Sequence, residues 1–150
     1  MFDDPKHLDH FEAAIRAADQ PFDWAVTHTI HAFQHLRQHE YLLACPSLVV
    51  GVESLFWAQA TKRGLIDADR REYTKAAGRS GRPRSANDIV DLLPINPRVQ
   101  KFLKRSAFGS IPNQFRHGTP YGIEPREQCL LWMLALAAWL DGYGPVPTRA

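Results

Sequence analysis

The stretch "EPREQCLLWMLALAAWLDGY", Glu124 to Tyr143, decides the fold class. Glu124 and Pro125 offer a helix start and Gly142 a stop. Between them Cys129, Trp132, Leu136, Trp139 and Tyr143 recur at alternating spacings of three and four, the repeat of a single helix face. Leu130, Leu131, Leu134 and Ala137 cover the other sides. A helix that is apolar all round is expected to be buried all round. Two placements satisfy that demand: the centre of a helical bundle, or a seat between the core and a second subunit. The first is preferred here, with Trp139 and Tyr143 as candidate residues for self-association.

Outward from this helix the same period runs through the chain, with no internal repeat and no sustained β-alternation. Asp4 and Pro5 form an N-cap and first-turn pair for a helix to about Ala18, with Leu8, Phe11, Ala14 or Ile15, and Ala18 inward. A second helix begins near Pro21 to Asp23 and runs to about Gln38 on the stripe Val26, Ile30, Phe33, Leu36. A third is expected from Ser47 to Arg63, because Pro46 suits a first turn and would kink a helix that started earlier. It carries Leu48, Val49, Val52, Leu55, Phe56 and Trp57, and Gly64 stands where it stops.

Asp67 to Ala77 reads as a short charged helix, and "AAGRSGRPRS", Ala76 to Ser85, as a flexible basic loop. Ser85 is expected to cap a segment from Ala86 to Leu93, and Pro97 to open a helix to about Ala107, closed by Gly109. The tail 144–150 is expected to be loose. The fold class that follows is all-α: residues 1–150 as a single-domain bundle of about four to six helices around a long, apolar, buried C-terminal helix.

Composition agrees with a globular chain: 45% of residues are hydrophobic and 23% charged. The longest unbroken apolar run, Cys129 to Leu140, is shorter than the roughly 20 residues a bilayer span needs. The acidic start "MFDDPKHLDH" lacks a signal-peptide pattern. Cys45 and Cys129 sit among apolar neighbours and read as buried thiols. A cytoplasmic location, with no membrane contact, is the expectation. Net charge is +2 but unevenly spread. Residues 1–40 hold seven acids against three Lys/Arg, whereas residues 62–84 hold eight bases against three acids. Such asymmetry suits either a nucleic-acid-facing side or a plain solvated surface.

Two local patterns bear on chemistry. In "THTIHAFQHLRQH", His28, His31, His35 and His39 fall within an arc of about 80°, roughly opposite the apolar stripe. Paired imidazoles at i and i+4 can share a zinc ion, with His7, His10 or an acid of the first helix completing a site, although the spacing requires none of them. There is no HExxH pattern, however, and a solvated or interface face is the preferred reading, with no metal and no cofactor expected. The second pattern is the loop "IPNQFRHGTPYG", Ile111 to Gly122. Arg116 can hold a phosphate through paired hydrogen bonds, His117 can move a proton near neutral pH, and Asn113 lies one helical turn earlier. These groups suit cleavage of a phosphodiester without metal: the imidazole takes the ribose 2′-hydroxyl proton and the guanidinium stabilises charge at phosphorus. The alternative is structural: His117 caps its own turn ahead of Gly118, and Arg116 pairs with an acid such as Glu124. Glu53, between Val52 and Leu55, either is buried beside Arg116 or His117 or faces water.

A helical chain with Arg, Asn and "HG" ahead of a long apolar final helix resembles the HEPN superfamily. The resemblance spans Ser110 to Gly142 best and extends to Tyr41–Gly64, where "VVGVESLFWA" is similar to an inner bundle helix carrying an acid. The family's pattern sets Arg four to six residues before His. Here Ile111, Pro112 and Asn113 hold those places, and Arg116 adjoins His117. The resemblance implies a small all-α domain of a bacterial defence or toxin–antitoxin system, often a dimeric, metal-independent endoribonuclease. His117, Arg116, Asn113 and Glu53 are then the candidate catalytic set. Arg79, Arg82, Arg84 and Arg105 are the candidate RNA-backbone contacts. Expected partners are RNA, a second copy of the chain, and an antitoxin or other protein. The competing class is a non-catalytic module that docks a protein, nucleotide or RNA through its histidine stripe or its final helix.

Overall fold

Asp4 turns the chain into its first helix by accepting the Lys6 backbone N–H at 2.8 Å, with Pro5 at the first helical position. The computed structural model describes residues 2–18, 23–107 and 124–143. Helix α1 is Pro5–Ala17, α2 is Asp23–Arg37, α3 is Tyr41–Lys62, α4 is Ala86–Leu92, α5 is Pro97–Phe102 and α6 is Pro125–Tyr143. Among the described residues there is no strand, only an isolated bridge between Ile66 and Tyr73. The chain is all-α, as the periodicity predicts.

The longest apolar helix is α3, in mid-chain, and not the C-terminal helix. It starts at Tyr41, six residues before the expected Ser47, so Pro46 lies inside it. Proline removes the N–H that would reach the Leu42 carbonyl. Leu42 is 65% exposed, so water can take that carbonyl and the interruption costs less there than in the core. By length and composition α3 also suffices to cross a membrane, yet 56% of its most apolar window is buried inside the bundle. Leu48, Val52, Leu55 and Phe56 are sealed from solvent.

Helices α2 and α3 form an antiparallel hairpin. His31 meets Ser47 and Thr29 meets Gly51, so rising numbers on one helix face falling numbers on the other. The turn between them is a Schellman motif: the Glu40 N–H reaches the His35 carbonyl at 2.9 Å and the His39 N–H reaches Leu36 at 3.0 Å. His39 takes the left-handed position of that motif, with φ +57°. Helix α1 crosses onto α2, where Arg37 pairs with Asp9 at 2.8 Å.

Helix α6 runs alongside α3 in the same direction. The Cys129 thiol donates to the Tyr41 carbonyl at 3.5 Å, and the Trp139 indole N–H donates to the Leu55 carbonyl at 3.0 Å. Parallel neighbours need a long crossover, and α4 and α5 lie on it. The inward set on α6 is Cys129, Trp132, Met133, Ala135, Leu136 and Trp139. The expectation of burial all round is corrected here: Leu130 is 36% and Leu134 46% exposed, because among the described residues α6 packs chiefly on α3, with the turn after α5 as a lesser neighbour. Trp139 is likewise no self-association residue. It is fully buried, and its indole is bonded within its own chain. The tail and the side chain of Tyr143 lie outside the described residues. Both cysteines are buried and free.

Three shorter expectations also change. Asp67 to Ala77 is not a helix: the Asp67 carboxylate accepts the Asp69 and Arg70 N–H groups and folds a turn, leaving only a 3-10 turn at Lys75–Ala77. Ser85 makes no side-chain cap. Asp88 instead accepts the Arg84 N–H at 2.7 Å. Helix α5 widens after Phe102 into a π-turn, Leu103–Ala107, and Gly109 lies outside the described residues.

The α2–α3 hairpin is close because Gly51 has no side chain. A Cβ there would stand 2.3 Å from Thr29 Oγ1 and 2.8 Å from Thr29 N. The obstacle includes backbone, so no rotamer change relieves it. Gly51→Ala should therefore lower stability by about 1–3 kcal/mol despite alanine's better helix propensity. Thermal and urea denaturation of the variant check this; unchanged or increased stability would contradict the close packing.

Candidate functional site

The hairpin register carries Trp24, in the first turn of α2, to the level of Trp57 on α3, and the two tryptophans share one cavity of about 420 Å³. Val50, Glu53, Trp57 and Thr61 reach it from α3 at helical spacing, so they form a stripe beside the core face. The turn after α3 closes the far side with Ile66, Asp67 and Arg71. Trp24 is 45% exposed and packs edge-on against His28, with ring centres 6.3 Å apart. Glu53 and Trp57 are half-buried.

Most hydroxyls on this wall are occupied by the helix itself. Thr61 Oγ1 donates to the Trp57 carbonyl at 3.0 Å, and Ser54 Oγ donates to Val50. The Asp67 carboxyl lies below its ordinary range, chiefly because it accepts the Arg70 backbone N–H. Arg71 completes the turn by donating its N–H to the Asp67 carbonyl at 2.8 Å. It does so with φ +56°, a left-handed backbone that costs a side-chain-bearing residue about 1–2 kcal/mol. The result is a niche with two indoles, two carboxylates and one guanidinium, of a size typical for small-ligand sites.

Beside the niche lies the basic stretch. Lys62, Arg63, Arg70, Arg71, Lys75, Arg79, Arg82 and Arg84 are all exposed. Arg79 stands 6.0 Å over the Tyr73 ring, and Arg82 is 4.0 Å from Glu72. Tyr73 and Gly81 are joined by a backbone hydrogen bond of 2.9 Å, which folds Arg79 and Arg82 back toward the Ile66–Tyr73 bridge. Arg105 is exposed on the π-turn after α5. Of the expected catalytic set, Glu53 lines the niche, whereas Asn113, Arg116 and His117 lie outside the described residues. Of the lining residues, sequence alone singles out Glu53 as functional. Periodicity assigns Trp57 to the core, Trp24 precedes the stripe that defines α2, and Arg71 falls in the expected charged helix. A usable signal existed for Trp57: Glu53 and Thr61 flank it at i−4 and i+4.

The histidine stripe does not stay together. His31 and His35 rings meet edge-to-face at 4.9 Å; His31 reaches Ser47 and His35 reaches Glu40. The left-handed turn swings His39 away to Asp3 and Tyr41. Among the described residues no group of three or more His, Cys, Asp or Glu side chains is placed to hold a metal ion.

Asp3 is the centre of that last cluster. Its carboxylate is buried and accepts the Tyr41 hydroxyl, with His39 Nδ1 at 3.3 Å and Arg126 at 3.9 Å. Arg126 also stands 5.2 Å over the Phe2 ring, so the N-terminus is tied to α3 and α6 together. Burial acts to raise the Asp3 pKa, but the Tyr41 hydroxyl, its own backbone N–H, Arg126 and His39 together hold it below the usual 3.8. A carboxyl depressed on folding stabilises the native state above its ordinary pKa, and that contribution disappears as pH falls through the lowered value. Thermal melts from pH 7 to pH 3 should therefore show a loss of stability below about pH 4 that is smaller in Asp3→Asn, which starts less stable at neutral pH. Parallel wild-type and variant curves would contradict the assignment.

No family model, no curated protein and no solved structure matches the chain.

Proposed function

We propose that the chain acts on single-stranded RNA, as a metal-independent endoribonuclease of HEPN type. The observation that carries the reading is the run of eight exposed cations from Lys62 to Arg84 beside a niche lined by Trp24 and Trp57. Single-stranded nucleic acid is held by the same two elements: cations along the backbone and aromatic faces under the bases. Among the acids of the N-terminal region, Asp3 is buried in its own cluster and Asp9 is paired with Arg37. In this reading His117 is the general acid and base, Arg116 clamps the phosphate and Asn113 orients them, while Arg79, Arg82 and Arg84 follow the backbone. Arg105 extends that basic surface.

A second reading is a non-catalytic module whose partner is a protein. It is favoured by Leu42 and Leu43, 65% and 55% exposed on the first turn of α3, where they border a groove with Pro125 and Arg126.

The two readings diverge on one purified preparation. A ribonuclease cuts unstructured RNA in the presence of EDTA, His117→Ala loses the cutting by at least about a hundredfold, and RNA affinity falls steeply as salt rises. Absence of cleavage by wild type across varied RNAs, with RNA still bound, leaves the domain as a binder; absence of both removes the RNA reading.

A further inference from the structure

We propose that the Trp24–Trp57 niche is a guanine-binding site, taking the base of a guanosine monophosphate unit; the proposal rests on the RNA reading above and specifies the base it selects. The niche, at about 420 Å³, falls within the size range of small-ligand sites and has indole surface from two helices, with Val50 and Ile66 supplying further apolar wall. Flat aromatic ligands suit such walls, and every nucleobase has a π-face to stack.

Selection comes from the polar groups. The Asp67 carboxylate is exposed, and one of its oxygens takes the Asp69 and Arg70 N–H groups of its own turn. Glu53 is the half-buried carboxylate of the wall, one helical turn before Trp57 on α3. It is engaged within the chain, but a carboxylate offers about four acceptor positions, so a further pair of donors can be received. Guanine alone among the four RNA bases presents two adjacent donors, N1–H and the 2-amino group, on its Watson–Crick edge. Adenine and cytosine each set a ring-nitrogen acceptor beside their amino group, and uracil flanks its one N–H with carbonyls. Against any of these a carboxylate meets a lone pair, which leaves a polar group unpaired.

Two tryptophans and a carboxylate also suit an organic cation. The surroundings decide against it. Arg71 stands on the niche wall, and the stretch 62–84 that closes it carries eight bases against three acids, an excess of positive charge that favours a phosphate-bearing ligand over a cation. Arg71 lines the niche from a left-handed backbone, and its guanidinium is the wall cation that would meet that phosphate.

Calorimetric titration of the full chain with GMP, AMP, CMP and guanosine tests this. GMP is expected to bind at least about tenfold more tightly than AMP or CMP, the discrimination typical of one bidentate pair. Glu53→Gln, which keeps shape but not the double acceptor, should erase that preference. Arg71→Gly should bring GMP down to the affinity of guanosine, and it should fold, since glycine accepts φ +56° freely. Equal binding of the three nucleotides, or no binding of GMP at millimolar concentration by folded wild type, overturns the proposal. A preference for GMP that Glu53→Gln leaves intact also overturns it. The RNA reading fails separately: a chain that selects GMP but neither binds nor cuts RNA keeps the guanine site and loses that reading. A chain that binds RNA irrespective of guanine content and ignores GMP does the reverse.

Discussion

The contact of Gly51 with Thr29 sets how closely α2 and α3 approach, and the rest of the architecture depends on it. Two helices meet there with a glycine on one side and a backbone N–H and Cα on the other. Thr29 is fully buried, and its hydroxyl is turned back onto the Ala25 carbonyl at 2.8 Å. This satisfies the one polar atom that the contact would otherwise strand. Because the helices are so close at this level, Phe33, Leu36, Leu48 and Val52 are sealed together. Because α2 and α3 are antiparallel, fixing Thr29 against Gly51 also fixes which residues meet at each end. Trp24 is carried toward Trp57 at one end, and the His39–Glu40 turn closes the other.

Helix α3 then serves two purposes on different faces. Leu48, Val52, Leu55 and Phe56 enter the core against α2 and α6. Val50, Glu53 and Trp57 run along an adjoining face that, among the described residues, no helix covers completely, and the turn at Asp67 to Arg71 closes its end. Helices α2 and α6 pack on the core side of α3, so a strip of its circumference beside them stays open. That open strip is the niche. On the core side of the same helix the Trp139 indole is anchored to the Leu55 carbonyl.

Charge is divided along the same lines. The acids of the N-terminal third are largely consumed by structure: Asp3 by Tyr41, His39 and Arg126; Asp9 and Glu12 by Arg37; Asp4 by the start of α1. The bases of 62–84 hold exposed positions, and Asp67 and Glu72 among their acids are tied to local turns or to Arg82. A net charge of only +2 thus hides a side that is decidedly positive.

What the sequence determined by itself is local. Side chains on a helix recur at about 100° per residue, so Leu8 and Ile15, Ile30, Phe33 and Leu36, and Trp132, Leu136 and Trp139 could all be assigned to inward faces before any contact was known. The Asp4–Pro5 start was legible for the same reason, because a cap acts on residues two or three positions away. The loop with Asn113, Arg116 and His117 could be singled out by chemistry alone, and it lies outside the described residues. Tertiary structure decided everything that joins distant residues. It extended α3 back past Pro46, since packing against α2 and α6 outweighs one missing hydrogen bond. It left one face of α6 exposed, since among the described residues α3 is the main element that flanks that helix. It split the histidine stripe at a left-handed residue, and it set Trp24 beside Trp57. Periodicity states which face of a helix turns inward; which helix it meets, and at what level, depends on shape complementarity at contacts such as Gly51 with Thr29, which no window of neighbouring residues contains.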